Sequence, residues 1–353
     1  MNAVCRHFGP CGGCALQDLP PETYIGRKRS LILDALARHG IDDPPLKEVV
    51  AVSPWSRRRA TLKLQKADGE TCIGFHALRS HELVDIRECY VLTRGLFGLA
   101  QDLRELFSGL LREGESADLQ MVEAENGFDL AIAWTRKVTP DLVARFATAA
   151  QRLGLVRVTS GGDLLYETAG PAVRFGRVQV RLPPNSFLQP TREGEVILQA
   201  HVHEAVGKAK TTADLFCGCG TFALPLAERT RVHAVDSDSA MLDALAAAAR
   251  ATPGLKPVTA EKRDLFKHPL TPTELNRFEA LVLDPPRAGA LFQVKQVSQS
   301  RVQRIAYVSC DAASFARDAW VLIDGGFRLD WIVGVDQFLW SVHIELAAPF
   351  SRK

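Results

Sequence analysis

A chain of 353 residues, 46% apolar and 24% charged, is long enough for two separate cores and is globular by composition. No window reaches about eighteen uninterrupted apolar residues, and Met1 to Pro10 hold no basic stretch ahead of an apolar one, which excludes a membrane span or a secretory leader and places the chain in the cytoplasm. A net charge of +2 excludes a global field that would mark a nucleic-acid binder.

Eight cysteines in a cytoplasmic chain argue for metal binding or catalysis rather than disulfides. Cys5, Cys11 and Cys14 form a C-x5-C-x2-C cluster among Gly9, Pro10, Gly12 and Gly13, where the backbone can fold tightly enough for three thiolates to converge. Cys89 is the better fourth ligand, because Cys72 sits in an alternating strand-like stretch, Thr71 to Phe75, and reads as core. Four thiolates fit a tetrahedral zinc or an iron–sulfur cluster, and spacing leaves the two open.

Pro21 to His39 read as an amphipathic helix stopped at Gly40 and packed on a neighbour, the catalytic half being one candidate. Arg57, Arg58 and Arg59 lead into a strand over Thr61 to Gln65; the triplet suits RNA phosphates or a solvated turn. Strands over Asp129 to Trp134, Leu155 to Thr159 and Val173 to Leu182, around a helix from Pro140 to Leu153, describe an α+β module. Residues 136–192 carry nine Lys or Arg against three acids, an excess that suits a phosphate backbone or a merely solvated face. The domain boundary falls after Pro184, giving 1–184 and 185–353, and Phe187 to Pro190 run into a helix striped by Leu198, Val202, Ala205 and Val206.

The second half alternates strand and helix. Thr212 to Phe216 form a strand, Cys217 to Thr221 a turn with Gly218 and Gly220, and Phe222 to Glu228 a helix. The next strand, Arg231 to Val235, ends at Asp236, placed to accept ribose hydroxyls. The turn is too short for a dinucleotide fingerprint and lacks the P-loop lysine, so adenosyl-methionine fits better than NAD or ATP. Lys256 to Ala260 lead to Asp264, a candidate adenine contact, and Glu279 to Leu283 lead to Asp284-Pro285-Pro286-Arg287, a rigid turn holding an acid and a base. Arg304 to Ser309 form a buried strand ending at Cys310, at the edge of the sheet where chemistry collects. A helix from Ser314 to Ile323 and two runs, Leu329 to Val335 and Val342 to Ala348, supply an antiparallel end.

With Phe216-Cys-Gly-x-Gly, Asp284-Pro-Pro-Arg-Ala-Gly, Ser309-Cys310 and His343-Ile-Glu345 in this order, the chain resembles the bacterial RNA 5-methyluridine methyltransferases over nearly its whole length. The resemblance implies a class I adenosyl-methionine-dependent methyltransferase sheet, doubly wound with an antiparallel last strand, behind an N-terminal α+β RNA-binding domain. It implies a [4Fe–4S] cluster on Cys5, Cys11, Cys14 and Cys89, as in the iron–sulfur members acting on 23S rRNA. Since Cys5 leaves no room ahead of it, the extra N-terminal oligonucleotide-binding barrel of many ribosomal members is expected to be missing.

Carried over residue by residue, the nucleophile falls on Cys310 and the base on Glu345. The cofactor contacts fall on Gln189, Phe216, Gly218, Gly220, Thr221, Asp236, Asp264 and Asp284, and the substrate contacts on Phe187, Arg287 and Arg57 to Arg59. Leu339-Trp340 and Pro190-Thr191 depart from the family pattern and bear on substrate choice. A monomer acting on an unpaired or flipped uridine is expected, because C6 of a stacked base is closed to a thiolate. The rival expectations are a transfer-RNA substrate, an exocyclic-amine methyltransferase using Asp-Pro-Pro without a cysteine, and a zinc-stabilised RNA-binding protein without catalysis.

Overall fold

The computed structural model describes residues 4–352. Two sheets organise them. The larger is nine-stranded, and its parallel heart runs Arg304–Ser309, Ala280–Leu283, Thr211–Leu215, Arg231–Asp236 and Val258–Lys262. Ala280–Leu283 is buried at every position, as a strand covered by helices on both faces must be. Beyond Arg304–Ser309 the direction reverses: Glu345–Ser351 pairs with it antiparallel, followed by Val333–Asp336. An antiparallel strand begins where its parallel neighbours end, so Glu345 stands at the same edge as the residues after Leu215, Asp236, Leu283 and Ser309.

The expected helix near the N-terminus is Pro21–Ala37, and it belongs to this layer. Ile32, Ala35 and Leu36 share a core with Phe315, Ile332 and Leu346. Beside them Lys28 and Asp336, both fully buried, form an ion pair of 2.7 Å. Val50–Ala51 then adds a parallel edge strand against Val333–Asp336.

The second sheet is seven-stranded, ordered Leu83–Asp85, Glu70–His76, Arg59–Ala67, Ser116–Ala124, Gly127–Ala133, Leu155–Ser160 and Asp163–Glu167. Helices Arg94–Ser108 and Pro140–Leu153 supply its core through Leu96, Leu103, Phe107, Phe146 and Ala150. Each is capped by a threonine hydroxyl, Thr93 accepting from Leu96 N and Thr139 from Leu142 N.

Several local expectations shift. Val173 to Leu182 is a hairpin, Ala172–Phe175 and Val178–Arg181, because Gly176 takes φ +59° and reverses the chain. Its Val173, Phe175, Val178 and Val180 pack with Leu198 and Phe222 against the nine-stranded sheet. The helix after the glycine turn shrinks to Ala223–Leu226, with Pro225 inside it. Cys72, expected in the core, is only half-buried between the buried Thr71 and Ile73, because strand side chains alternate and its own faces away from the helices. Among the described residues no helix is long and apolar enough to cross a membrane.

Candidate functional site

The register of the last strand pair builds the site. The ladder ends with Ser309 facing Leu346, and Cys310 and Glu345 are the residues that flank this last pair, one just past the end of its strand and the other at the start of its own. Both side chains line a cavity of about 510 Å³. Asp311, next to Cys310, is spent as a helix cap, accepting from Ala313 N and Ser314 N, which anchors the turn carrying the thiol.

Most of the candidate residues meet in this cavity: Phe187, Phe216, Gly218, Thr221, Asp236, Asp264, Asp284 and Arg287 line it together with Cys310 and Glu345. Gly218, at φ +53°, donates its N–H to Asp236 Oδ2 at 2.9 Å, closing the glycine turn onto the second strand. Gly220 lies behind the wall, where a Cβ would come within 2.9 Å of Leu224 and Leu245. The bare backbone at the turn, an acid one strand over and the aromatic pair Phe216–Phe266, with centroids 5.5 Å apart, fit a nucleoside.

A hydrogen-bonded chain crosses the floor of the site. Gln189 Nε2 donates to Asp284 Oδ2 at 3.4 Å, and Gln337 Nε2 donates to both Gln189 Oε1 at 2.7 Å and Glu345 Oε2 at 2.9 Å. Burial, and then the charge of Asp284, raise the Glu345 carboxyl above its usual range, while Gln337 and Arg59 pull it back. Burial likewise raises Asp284. The Cys310 thiol is pushed up to about 12, first by burial and then by Glu345 and Asp284, with Arg287 opposing. The cavity therefore offers a neutral thiol and two crowded carboxyls, a set that can add a sulfur to an electrophilic carbon and take a proton nearby.

The arginine triplet divides three ways. Arg59 reaches the cavity with its guanidinium 4.6 Å over the Phe187 ring, and its Nε is buried without a hydrogen-bond partner. Arg58 instead turns inward, buried against Glu195 and donating to Gln189 O, so it is spent on structure. Arg57 donates to Arg59 O and lines a different cavity. The basic run is also less available than its linear count suggests. Arg136, Arg145, Arg157, Arg174, Arg177 and Arg192 each pair with an acid, mostly from outside the run, such as Glu115, Glu125, Asp129 and Glu228.

Cys5, Cys11, Cys14 and Cys89 line that second cavity, of about 580 Å³. The loop is tied down by Cys11 N to His7 O and Gly12 N to His76 O, and by Ala15 N and Leu16 N, which both donate to Trp340 O. Among the described residues no group of three or more His, Cys, Asp or Glu is gathered at the spacing that holds a single metal ion. Phe338 and His343 line both cavities and form their common wall.

Sequence reasoning missed Met241, Phe266 and Phe338 in the first cavity, and Gln337 beneath it. The only signal for Gln337 was its place between the buried strand and Glu345. It also missed Asp214, fully buried under the glycine turn, its carboxyl raised well above the ordinary range by burial and then by Asp284.

A parallel sheet with a glycine turn, an acid ending the second strand and an antiparallel last strand defines an adenosyl-methionine-dependent methyltransferase of class I. The family described as tRNA (Uracil-5-)-methyltransferase matches residues 172–353. An uncharacterized RNA methyltransferase of Brucella suis biovar 1 is 40% identical over 352 residues, covering 100% of this chain and 85% of the relative. The 23S rRNA (uracil(1939)-C(5))-methyltransferase RlmD of Halomonas elongata is 33% identical over 368 residues, covering 97% of this chain and 74% of that protein. In fold the chain is similar to the tRNA (uracil-54, C5)-methyltransferase of Pyrococcus abyssi, solved with S-adenosyl-L-homocysteine, at a TM-score of 0.75 and 24% identity, covering 96% of this chain and 86% of that one. The chain belongs to the tRNA (uracil-5-)-methyltransferase family and is an RNA methyltransferase.

Proposed function

We propose that the enzyme methylates C5 of one uridine in 23S rRNA through a covalent bond between Cys310 and C6 of the base. The single observation that supports this reading is that Cys310 and Glu345, flanking the Ser309–Leu346 pair, line one nucleoside-sized cavity. The likeness to the Halomonas relative favours ribosomal over transfer RNA.

C5 of uracil is a weak nucleophile; the Cys310 thiol gives its proton to solvent, and addition of the resulting thiolate to C6 moves the C5=C6 electron pair into an enolate over C5 and O4. Bound adenosyl-methionine supplies the electrophilic methyl group. Glu345 then takes the C5 proton, the C5–H pair forms the C5=C6 double bond, and the C6–S pair returns to Cys310. Phe187 and Arg59 flank the opening and are assigned to the flipped base, Arg59 presenting its unpaired Nε to a uracil oxygen or to the developing enolate. Arg287, exposed and paired with Asp311 at 3.5 Å, is assigned to an RNA phosphate. Phe216, Gly218, Thr221, Asp236, Asp264 and Asp284 hold the methyl donor, with Gln189 and Gly220 as supports from behind.

Cys5, Cys11, Cys14 and Cys89 are assigned to an iron–sulfur cluster, for which four thiols on one cavity are a suitable donor set. The reaction consumes no electrons, so the cluster serves structure, and the enzyme works where its RNA is, in the cytoplasm. Residues 1–184 supply the cysteine loop and the second sheet for RNA, and 185–353 the methyl-transfer half, which the helix Pro21–Ala37, the strand Val50–Ala51 and the hairpin at 172–181 join from the first part of the chain.

The test is adduct formation with large-subunit rRNA transcribed with 5-fluorouridine, whose C5 fluorine blocks the final elimination. The enzyme is expected to give an RNA-linked band on a denaturing gel, and Cys310→Ala none. A band with Cys310→Ala, or methylation by it, removes the nucleophile. Mapping 5-methyluridine in cells lacking the gene identifies the target; loss from tRNA instead of rRNA overturns the choice of substrate.

A further inference from the structure

Gln337 is 1% exposed, and its one amide nitrogen serves two acceptors, Glu345 Oε2 at 2.9 Å and Gln189 Oε1 at 2.7 Å. Its own Oε1 is buried with no hydrogen-bond partner. Glycine stands at 194, where a Cβ would come within 2.7 Å of that oxygen. Turning the amide over would set its oxygen against a carboxylate and a carbonyl, acceptors facing acceptors, so the orientation is fixed. A buried carbonyl left unpaired is costly, and its retention calls for a return elsewhere.

We propose that Gln337 is a positioning residue for the proton-removal step. It lends Glu345 an N–H donor that favours the charged carboxylate, fixes the rotamer that aims one oxygen at the base, and ties it through Gln189 to Asp284 on the methyl-donor side. The inference rests on the reading of Glu345 as the base. An N–H donor stabilises a carboxylate over the protonated acid. The other influences on Glu345 are unequal: burial and then Asp284, which ends the strand beyond Arg304–Ser309, disfavour its charge, and Arg59, from the second sheet, favours it. Asp336, its neighbour across the strand pair, is neutralised by Lys28. Without Gln337 the carboxyl would be raised further and would have no fixed rotamer.

The test uses the full chain and an unmodified transcript of large-subunit rRNA, with Gln337→Met, which keeps the volume but has no donor, and Gln337→Glu, which adds a carboxyl. Adenosyl-methionine affinity by calorimetry reports on folding, and the Glu variant decides by the same readout if the Met variant loses it. Both are expected to form the methylated adduct but to release it about tenfold or more slowly at neutral pH, with the rising limb of the release profile moved up by about one pH unit. Release at the wild-type rate with an unmoved limb, while Glu345→Gln still traps the adduct, overturns the inference. Free release by Glu345→Gln overturns the reading of the base, and this inference with it.

Discussion

Cys310 and Glu345 come from segments 35 residues apart in the chain, flank the Ser309–Leu346 pair and line one cavity. Addition at C6 and proton removal at C5 concern adjacent atoms of one ring, so both groups must reach the same base. Glu345→Gln is therefore expected to add, to methylate and then to stall, leaving a methylated RNA adduct that resists denaturation. Turnover at the wild-type rate would assign proton removal to another group.

The same closeness predicts how the thiol titrates. Burial and two carboxyls hold Cys310 up to about 12, so in the free enzyme its alkylation by iodoacetamide should be slow at neutral pH and still rising above pH 9, about where an ordinary thiol has levelled. Replacing Glu345 with Gln removes a like charge and lowers that pKa, so labelling at pH 8 should speed up several-fold, up to about tenfold for each pH unit of lowering. Mass spectrometry of the Cys310 peptide is the readout. Unchanged labelling would mean that the two groups do not share a field.

Lys28 and Asp336 anchor the N-terminal helix under the loop that carries Phe338 and His343, with Lys28 also donating to the carbonyls of both residues. Breaking a fully buried pair leaves a bare charge, so Lys28→Met should cost about 3–5 kcal/mol, and adding Asp336→Asn should recover part of it. Chemical denaturation of the two variants checks this. A single variant as stable as the parent would show that water reaches the site.

The two glycines of the turn should respond differently to alanine. At Gly220, φ is +95° and the added Cβ would meet Leu224 and Leu245 at 2.9 Å, so Gly220→Ala should lose stability and adenosyl-methionine affinity together. At Gly218, φ is +53° and the nearest atom is Met241 Sδ at 3.9 Å, so Gly218→Ala bears only the left-handed backbone strain and should lose less stability than Gly220→Ala while still losing affinity. Equal thermal stability of the two variants would contradict the assignment of Gly220 to the packing behind the turn.

The succession of strands along the methyl-transfer half, though not their order in the sheet, was legible in the sequence because parallel strands buried on both faces read as short unbroken apolar runs, and the residues ending each run, Cys217-Gly218, Asp236, Asp284 and Cys310, are local to it in the chain. The strand Arg304–Ser309 was legible to its ends for that reason. Long-range pairing carries no such trace. Arg57, Arg58 and Arg59 are one motif in sequence, yet strand alternation and the Glu195 carboxylate send them to a second cavity, to a buried ion pair and to the active cavity in turn. The basic run from Arg136 to Arg192 likewise became mostly paired once acids distant in sequence folded beside it.

By itself the sequence determined the nucleotide-type sheet, the thiol at its edge and the carboxyl near its end, since each depends on residues close together in the chain. Only the tertiary structure decided that thiol and carboxyl line one cavity, that Gln337 joins that carboxyl through Gln189 to Asp284, and that Phe338 and His343 separate the active cavity from the four cysteines. Register and burial fix those relationships, and both arise from contacts between residues that the chain itself keeps far apart.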